Sequence, residues 1–271
     1  MVATAINNSP CRQQLTNRAF VRLGHAGSMN PIGDLTRRLV YQAGRTRGDL
    51  PPTTYELDRD GTVVRGWVTR PGSARAVVYF GGNIEDVSGW RPRFGTSLGG
   101  RTSYLVAYRG HGASDGIPTE RDLVEDGIAV LLDVAGRHES VAVIGRSLGS
   151  GVAAQVCSDA RVRDVVESVV LVTPFDSLSG VMRTLFGGLP VDLLVPDRFS
   201  SVDHVGDITA PILVLRAGRD TIVRPEATDR LVAALPPGAR VVDLPEEDHV
   251  SVAQPDAYWN EIQRFLGEPV T

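Results

Sequence analysis

Gly145-Arg146-Ser147-Leu148-Gly149 lies directly after the apolar run Val141-Ala142-Val143-Ile144 and directly before a helix-like stretch ending at Ser158. A serine on a sharp turn between a strand and a helix projects its hydroxyl clear of the sheet, and its strained backbone leaves no room for side chains two residues to either side. Gly145 and Gly149 meet that demand. The Leu148 N–H falls at the helix start, where amide hydrogens have no intrahelical acceptor and can hold an oxyanion. This pattern predicts nucleophilic chemistry at Ser147.

A serine hydroxyl is a weak nucleophile, so it needs a base to take its proton and an acid to orient that base. The chain offers both in order. Asp220 follows the apolar run Ile212-Leu213-Val214-Leu215, and His249, the one histidine after Asp220, follows Val241-Val242-Asp243-Leu244. Both sites fall at strand ends, on the edge expected to carry the serine turn. Serine, acid, histidine is the chain order that suits a Gly-x-Ser-x-Gly turn. Asp176, after the preceding strand, is the rival acid, but Pro174 beside it suggests that it caps a helix. A second oxyanion donor is expected from the loop Gly81-Gly82-Asn83, through the Asn83 backbone N–H. The loop of residues 108–116, with Gly110, Gly112 and Gly116, reads as a shaped wall rather than as chemistry. His111 within it precedes the serine turn, and its glycine flanks give the ring no fixed support.

These groups need a scaffold that brings strand ends to one edge. Residues 53–57 and 63–68 look like a hairpin turning at Asp60-Gly61, hence an antiparallel edge. The runs at 76–80, 104–107, 141–144, 169–172, 212–215 and 241–244 are continuously apolar, as in strands buried on both faces. Helical stretches at 119–135, 148–158, 225–235 and 255–266 lie between or after them. The expectation is an α/β domain, a mostly parallel eight-stranded sheet with helices on both faces. Residues 1–33 contain arginine but no acidic residue and read as a flexible leader, with the domain over 34–271. Ile32, Leu35, Leu39 and Val40 have helical spacing before Pro51-Pro52. The long interval after Pro174 is apolar and helical, and predicts a short lid insertion at about 175–207 that covers a pocket. Met182, Leu185 and Phe186 from the lid, with Gly82 and Val223, are the candidate pocket residues.

Composition narrows the chemistry. The 271 residues, 42% hydrophobic, suffice for one domain with a sizeable core. All 28 lysine-plus-arginine residues are arginine, so lysine Schiff bases, pyridoxal phosphate attachment and a P-loop lysine are excluded. A formal charge of -4 argues against a nucleic-acid partner. No apolar run reaches the roughly 18 residues of a transmembrane helix and no secretory signal is evident, so the expected location is cytoplasmic. Cys11 and Cys157 lie too far apart in sequence and context for a disulfide framework or metal knuckle, and no metal is expected.

Taken together, Tyr79-Phe80-Gly81-Gly82-Asn83, Tyr108-Arg109-Gly110-His111-Gly112-x-Ser114-x-Gly116-x-Pro118-x-Glu120, the serine turn, Asp197-Arg198-Phe199-x-Ser201, Asp220-x-x-Val223 and His249 resemble the serine-hydrolase branch of the α/β-hydrolase superfamily. The likeness runs over about residues 39–268 and is closest to small esterase-like and depalmitoylase-like members. It implies the α/β-hydrolase fold and hydrolysis of ester, thioester or amide bonds through an acyl-enzyme. It implies no metal or organic cofactor. It assigns the nucleophile to Ser147, the acid to Asp220, the base to His249 and the oxyanion amides to Leu148 and Asn83. Two positions depart from the pattern: Gly81 stands where histidine usually precedes glycine, and Asp248 replaces a small residue and adds a negative charge beside His249.

The resulting expectation is a serine hydrolase acting on carboxylic esters or thioesters of small to medium acyl substrates. A peptidase or amidase on the same fold is the alternative, and a non-catalytic receptor or scaffold is the reading outside enzymes. A dinucleotide-dependent oxidoreductase would also use a glycine-rich turn. It would leave Asp220 and His249 unexplained, and the tyrosine-lysine pair of short-chain dehydrogenases cannot be built without lysine.

Overall fold

A strand covered on both faces must be apolar on both, and the middles of the central strands obey this rule, with polar residues such as Arg75, Glu167 and Arg216 near strand ends. The computed structural model describes residues 37, 40–187, 191 and 196–267. Eight strands form one sheet in the order β1-β2-β4-β3-β5-β6-β7-β8. They are β1 (Tyr55–Arg59), β2 (Thr62–Thr69), β3 (Arg75–Phe80), β4 (Thr102–Val106), β5 (Ser140–Arg146), β6 (Val166–Val172), β7 (Ile212–Ala217) and β8 (Arg240–Leu244). β1, β2 and β4 pair antiparallel, and every pairing from β4 through β3 to β8 is parallel.

Alternate residues of each central strand feed two separate cores. Val78, Phe80, Val143 and Leu171 pack on one face with helices α2 (Glu120–Ala135) and α3 (Leu148–Ser158). Val77, Tyr79, Ile144 and Val172 pack on the other with Phe94 of α1 (Arg91–Ser97) and with Tyr258, Trp259 and Ile262 of α6 (Asp256–Gly267). The lid interval contributes α4 (Leu178–Leu185) and two 3-10 turns, Ser201–Asp203 and Val205–Asp207. Helix α5 (Pro225–Ala233) joins β7 to β8.

The expected strands and helices are all present, with ends shifted by a few residues. Helix α1 was not among the expected helices. Phe94 is its one buried residue, too few to make a helical stripe in the sequence. The expected leader lies outside the described residues. Of the short helix expected before Pro51, Arg37, Val40 and Tyr41 are described and helical. Residues 188–190 and 192–195 of the lid interval also lie outside. Among the described residues, no helix is long and apolar enough to cross a membrane.

Ties at the two ends of the sheet keep these layers in register. Arg101, just before β4, is 2% exposed. It donates to both carboxylate oxygens of Glu167 at 2.6 and 2.7 Å and to the Leu266 carbonyl at 2.6 Å, joining β6 and α6. Glu120 at the start of α2 accepts the backbone N–H groups of Arg198 and Phe199 at 2.7 and 2.9 Å, which pins the returning end of the lid interval. Removing one member of a buried ion pair leaves the other without its compensation. Arg101→Met should therefore lower the unfolding free energy by about 3 kcal/mol, read as an earlier urea midpoint with unchanged slope. An unmoved midpoint would show that the tie carries no stability.

Candidate active site

The parallel strands point their carboxyl ends to one edge, and the loops after β3, β5, β7 and β8 meet there. β5 ends at Arg146, and Ser147 stands at φ 52° and ψ −117°, a conformation that a non-glycine residue seldom adopts. Three hydrogen bonds hold its backbone: Ser147 N–H donates to the Val172 carbonyl at 2.9 Å, and the Ser147 carbonyl accepts from Ser150 N–H at 2.8 Å and from Ser150 Oγ at 2.6 Å. The glycine requirement is steric. A Cβ on Gly149 would lie 2.0 Å from the Phe80 carbonyl oxygen, and one on Gly145 would lie 2.3 Å from the Gly149 oxygen. Helix α3 therefore starts in contact with the end of β3, which brings Gly82 beside the serine. A Cβ on Gly82 would sit 3.8 Å from that of Ser147.

His249 Nε2 lies 2.9 Å from Ser147 Oγ, and its Nδ1 lies 2.8 Å from Asp220 Oδ2. The carboxylate can only accept from Nδ1–H, so Nε2 is the lone-pair nitrogen facing the serine hydroxyl. Asp220 is 7% exposed, and its second oxygen is also engaged. Oδ1 accepts the N–H groups of Ile222 and Val223 at 2.9 and 2.8 Å. The Asp220 and His249 loops are joined directly, by Gly218 N–H to the Leu244 carbonyl at 2.9 Å and Arg219 N–H to the Glu247 carbonyl at 2.8 Å. The Asp248 carboxylate turns to its own backbone, accepting from Val250 and Ser251 N–H at 2.8 Å each. Those bonds hold its pKa below the usual carboxylate range. It caps the turn that carries His249.

The Asn83 and Leu148 N–H groups are paired with no acceptor among the described residues. The loop bearing Asn83 is braced from three sides. Tyr108 OH donates to the Gly81 carbonyl at 2.8 Å, Gly82 N–H donates to Glu85 Oε2, and Asn83 Nδ2 donates to the Val40 carbonyl. Gly81 is where a histidine was expected. A Cβ there would meet Val87 Cγ1 at 2.5 Å, so the fold gives no space for a side chain.

Two expectations need correction. Asp176 does not cap the lid helix. Ser177 does, its Oγ accepting Gly180 N–H at 3.1 Å, while Asp176 pairs with Arg230 at 2.6 Å. His111 is not left unsupported by its glycines. It is 3% exposed and packs edge-on against Tyr41 and Tyr108, and burial lowers its pKa. Its loop is a corner behind the Asn83 loop, closed by Ser114 Oγ on the Ala107 carbonyl at 2.7 Å. Cys157 is buried in α3, and burial raises its thiol pKa, which keeps it from acting as a nucleophile.

The candidate pocket residues fall in different places. Gly82 lies beside the serine, close enough that an added Cβ would reach it, and Val223 is buried and holds Asp220 through its N–H. Met182 packs with Val40 and Val191, and Leu185 and Phe186 are about half exposed at the end of α4. Two charged residues at the site had no expected role. Arg146 and Glu85 form a nearly buried ion pair at 3.0 Å between the serine turn and the Asn83 loop. The signal was an arginine inside an otherwise small and apolar turn, since a buried charge requires a partner.

A family model for serine hydrolases matches residues 127–268. An uncharacterised protein of Mycobacterium tuberculosis (strain ATCC 25618 / H37Rv) is 31% identical over 270 residues, spanning 92% of this chain and 94% of the relative. An esterase from Pyrococcus furiosus superposes with a TM-score of 0.63 at 20% identity, over 80% of this chain and 90% of its own. The enol-lactonase from Burkholderia xenovorans LB400 does so with a TM-score of 0.60 at 17% identity, over 79% and 100%. The two solved structures share the fold, and the family match adds the class of chemistry: the chain has the α/β-hydrolase fold and belongs to the serine hydrolase family.

Proposed function

We propose that the protein cleaves carboxylic ester or thioester bonds of small to medium acyl substrates, with Ser147 as nucleophile, His249 as base and Asp220 as acid. The observation that carries this reading is the unbroken relay at 2.8 and 2.9 Å from a buried carboxylate through the imidazole to a strained, projecting serine. As Ser147 Oγ bonds to the acyl carbon, its proton passes to His249 Nε2. The carbonyl oxygen becomes an oxyanion facing the Leu148 and Asn83 N–H groups. Collapse of the tetrahedral intermediate expels the alcohol or thiol, which leaves with the proton held by His249. Water then attacks the acyl-enzyme by the same path, releasing the acid and freeing Ser147.

Apolar surface around these groups supports an acyl substrate over a charged one. Ile84 follows Asn83, Ile222 lies two residues beyond Asp220, and Val250 follows His249, and all three side chains are exposed. Leu185 and Phe186 of the lid interval are exposed apolar side chains as well, while Met182 is partly buried against Val40 and Val191. Each methylene that such surface removes from water contributes about 0.8 kcal/mol, so kcat/KM should climb along a para-nitrophenyl ester series from acetyl until the acyl site ends. A flat series would dissociate these residues from the acyl site, and a clear preference for aminoacyl amides would indicate a peptidase.

The catalytic assignment has its own test. A fluorophosphonate should add covalently to Ser147 in the native protein and not to Ser147→Ala, as read by intact mass. His249→Ala and Asp220→Asn should each lower kcat by about 10³-fold or more, and the double variant should fall little further, because the three groups act as one unit. Equal labelling of Ser147→Ala, or losses that multiply, would contradict the assignment.

A further inference from the structure

We propose that Glu85 and Arg146 are positioning residues that set the register of the three catalytic loops and select which amide of the oxyanion loop faces the substrate. The proposal rests on the catalytic reading above. Each loop contributes a group to the pair. From the oxyanion loop, Gly82 N–H donates to Glu85 Oε2. From the serine turn, the Arg146 guanidinium meets Glu85 Oε1 at 3.0 Å. From the base loop, the carbonyls of His249 and Val250 accept from the same Arg146 nitrogen at 2.9 and 3.4 Å. Tyr79 OH donates to the same oxygen that Arg146 meets, Oε1, at 2.8 Å. The neighbours in sequence are Asn83 and Ser147, and His249 is itself held. One ion pair therefore touches the peptide that carries or adjoins each reacting group.

The geometry acts on function in two ways. First, the Gly82 N–H is committed to Glu85, so it cannot turn toward an oxyanion, and the next amide in the loop, Asn83, remains to do so. Second, Arg146 binds the base loop through backbone oxygens, so the position of the His249 main chain depends on the guanidinium rather than on the imidazole's own contacts. The pair is also neutral as a unit. The side chains are 11% and 10% exposed, and an uncompensated carboxylate beside the oxyanion would oppose the charge that forms there. A buried ion pair contributes little net stability compared with apolar residues of similar volume. Its effect here is on alignment, where displacement of a reacting group by about 1 Å can cost about 10²-fold in rate.

The test compares Glu85→Gln, Arg146→Met, Arg146→Lys and Tyr79→Phe with wild type in the full-length protein. The measurements are kcat and KM on a para-nitrophenyl ester normalised to fluorophosphonate-titratable sites, affinity for a trifluoromethyl ketone, and Tm. Positioning predicts that Glu85→Gln and Arg146→Met both lower kcat by about 10²-fold, with KM within about twofold and ketone affinity falling in parallel. Arg146→Lys should not rescue, because a single ammonium does not reproduce the fork that reaches Glu85 and two carbonyls. Tyr79→Phe, which deletes one hydroxyl and keeps the ring, should show a smaller loss of the same kind even if the charge variants fold poorly.

A role through charge alone would give opposite signs, with Glu85→Gln faster and Arg146→Met slower. A merely structural role would lower Tm and leave kcat per titrated site unchanged in every variant that folds, Tyr79→Phe included. Either result overturns the proposal. Absence of Ser147 labelling in wild type would instead sink the catalytic reading, and this one with it.

Discussion

The backbone of Ser147 is the constraint on which the site depends. At φ 52° and ψ −117° the residue is held where side chains are rarely tolerated, and the fold supplies what holds it there. The Val172 carbonyl takes its N–H, Ser150 takes its carbonyl, and α3 begins so close to β3 that Gly149 has no room for a Cβ. That closeness does more than make a sharp turn. It sets the Gly81–Asn83 segment beside the serine, because this segment leaves the same end of β3. Ser147 and the Gly81–Asn83 segment thus become neighbours through one steric contact between two backbones.

The same logic extends across the sheet. β5, β7 and β8 are parallel members of one sheet, so their carboxyl ends share an edge, and the loops that follow can meet without long excursions. The Asp220 carboxylate is fixed by two backbone N–H groups on one oxygen, which leaves the other for His249. The turn bearing His249 is closed by Asp248 on its own backbone. Most of the positioning is therefore local hydrogen bonding within each loop. The Glu85–Arg146 pair adds a polar contact that ties the serine turn and the Gly81–Asn83 segment to the His249 loop, which backbone hydrogen bonds already join to the Asp220 loop.

The parts of this arrangement that depend on pattern were legible in the sequence. Continuous apolar runs mark strands with two covered faces, and glycines two either side of a serine mark a strained turn. The chain order of Ser147, Asp220 and His249 marks the relay. What was not legible depends on partners far apart in the chain. Helix α1 buries only Phe94 and leaves no periodic stripe. His111 looked unsupported because its bracing rings, Tyr41 and Tyr108, include one from a distant segment. Asp176 looked like a cap because the arginine that claims it, Arg230, lies on α5. Glu85 drew no reading at all, since nothing local shows that Arg146 and the Gly82 amide enclose it.

The central claim is that hydrolysis passes through an ester on Ser147, and the most direct measurement is rapid-quench mass spectrometry during turnover of a para-nitrophenyl ester. The account predicts a burst of nitrophenol equal to the enzyme present whenever deacylation limits the rate, with one acyl mass increment on the peptide containing Ser147. That adduct should be absent in Ser147→Ala. Turnover of the ester by Ser147→Ala at the native rate, or an acyl increment on a peptide that does not contain Ser147, would contradict it.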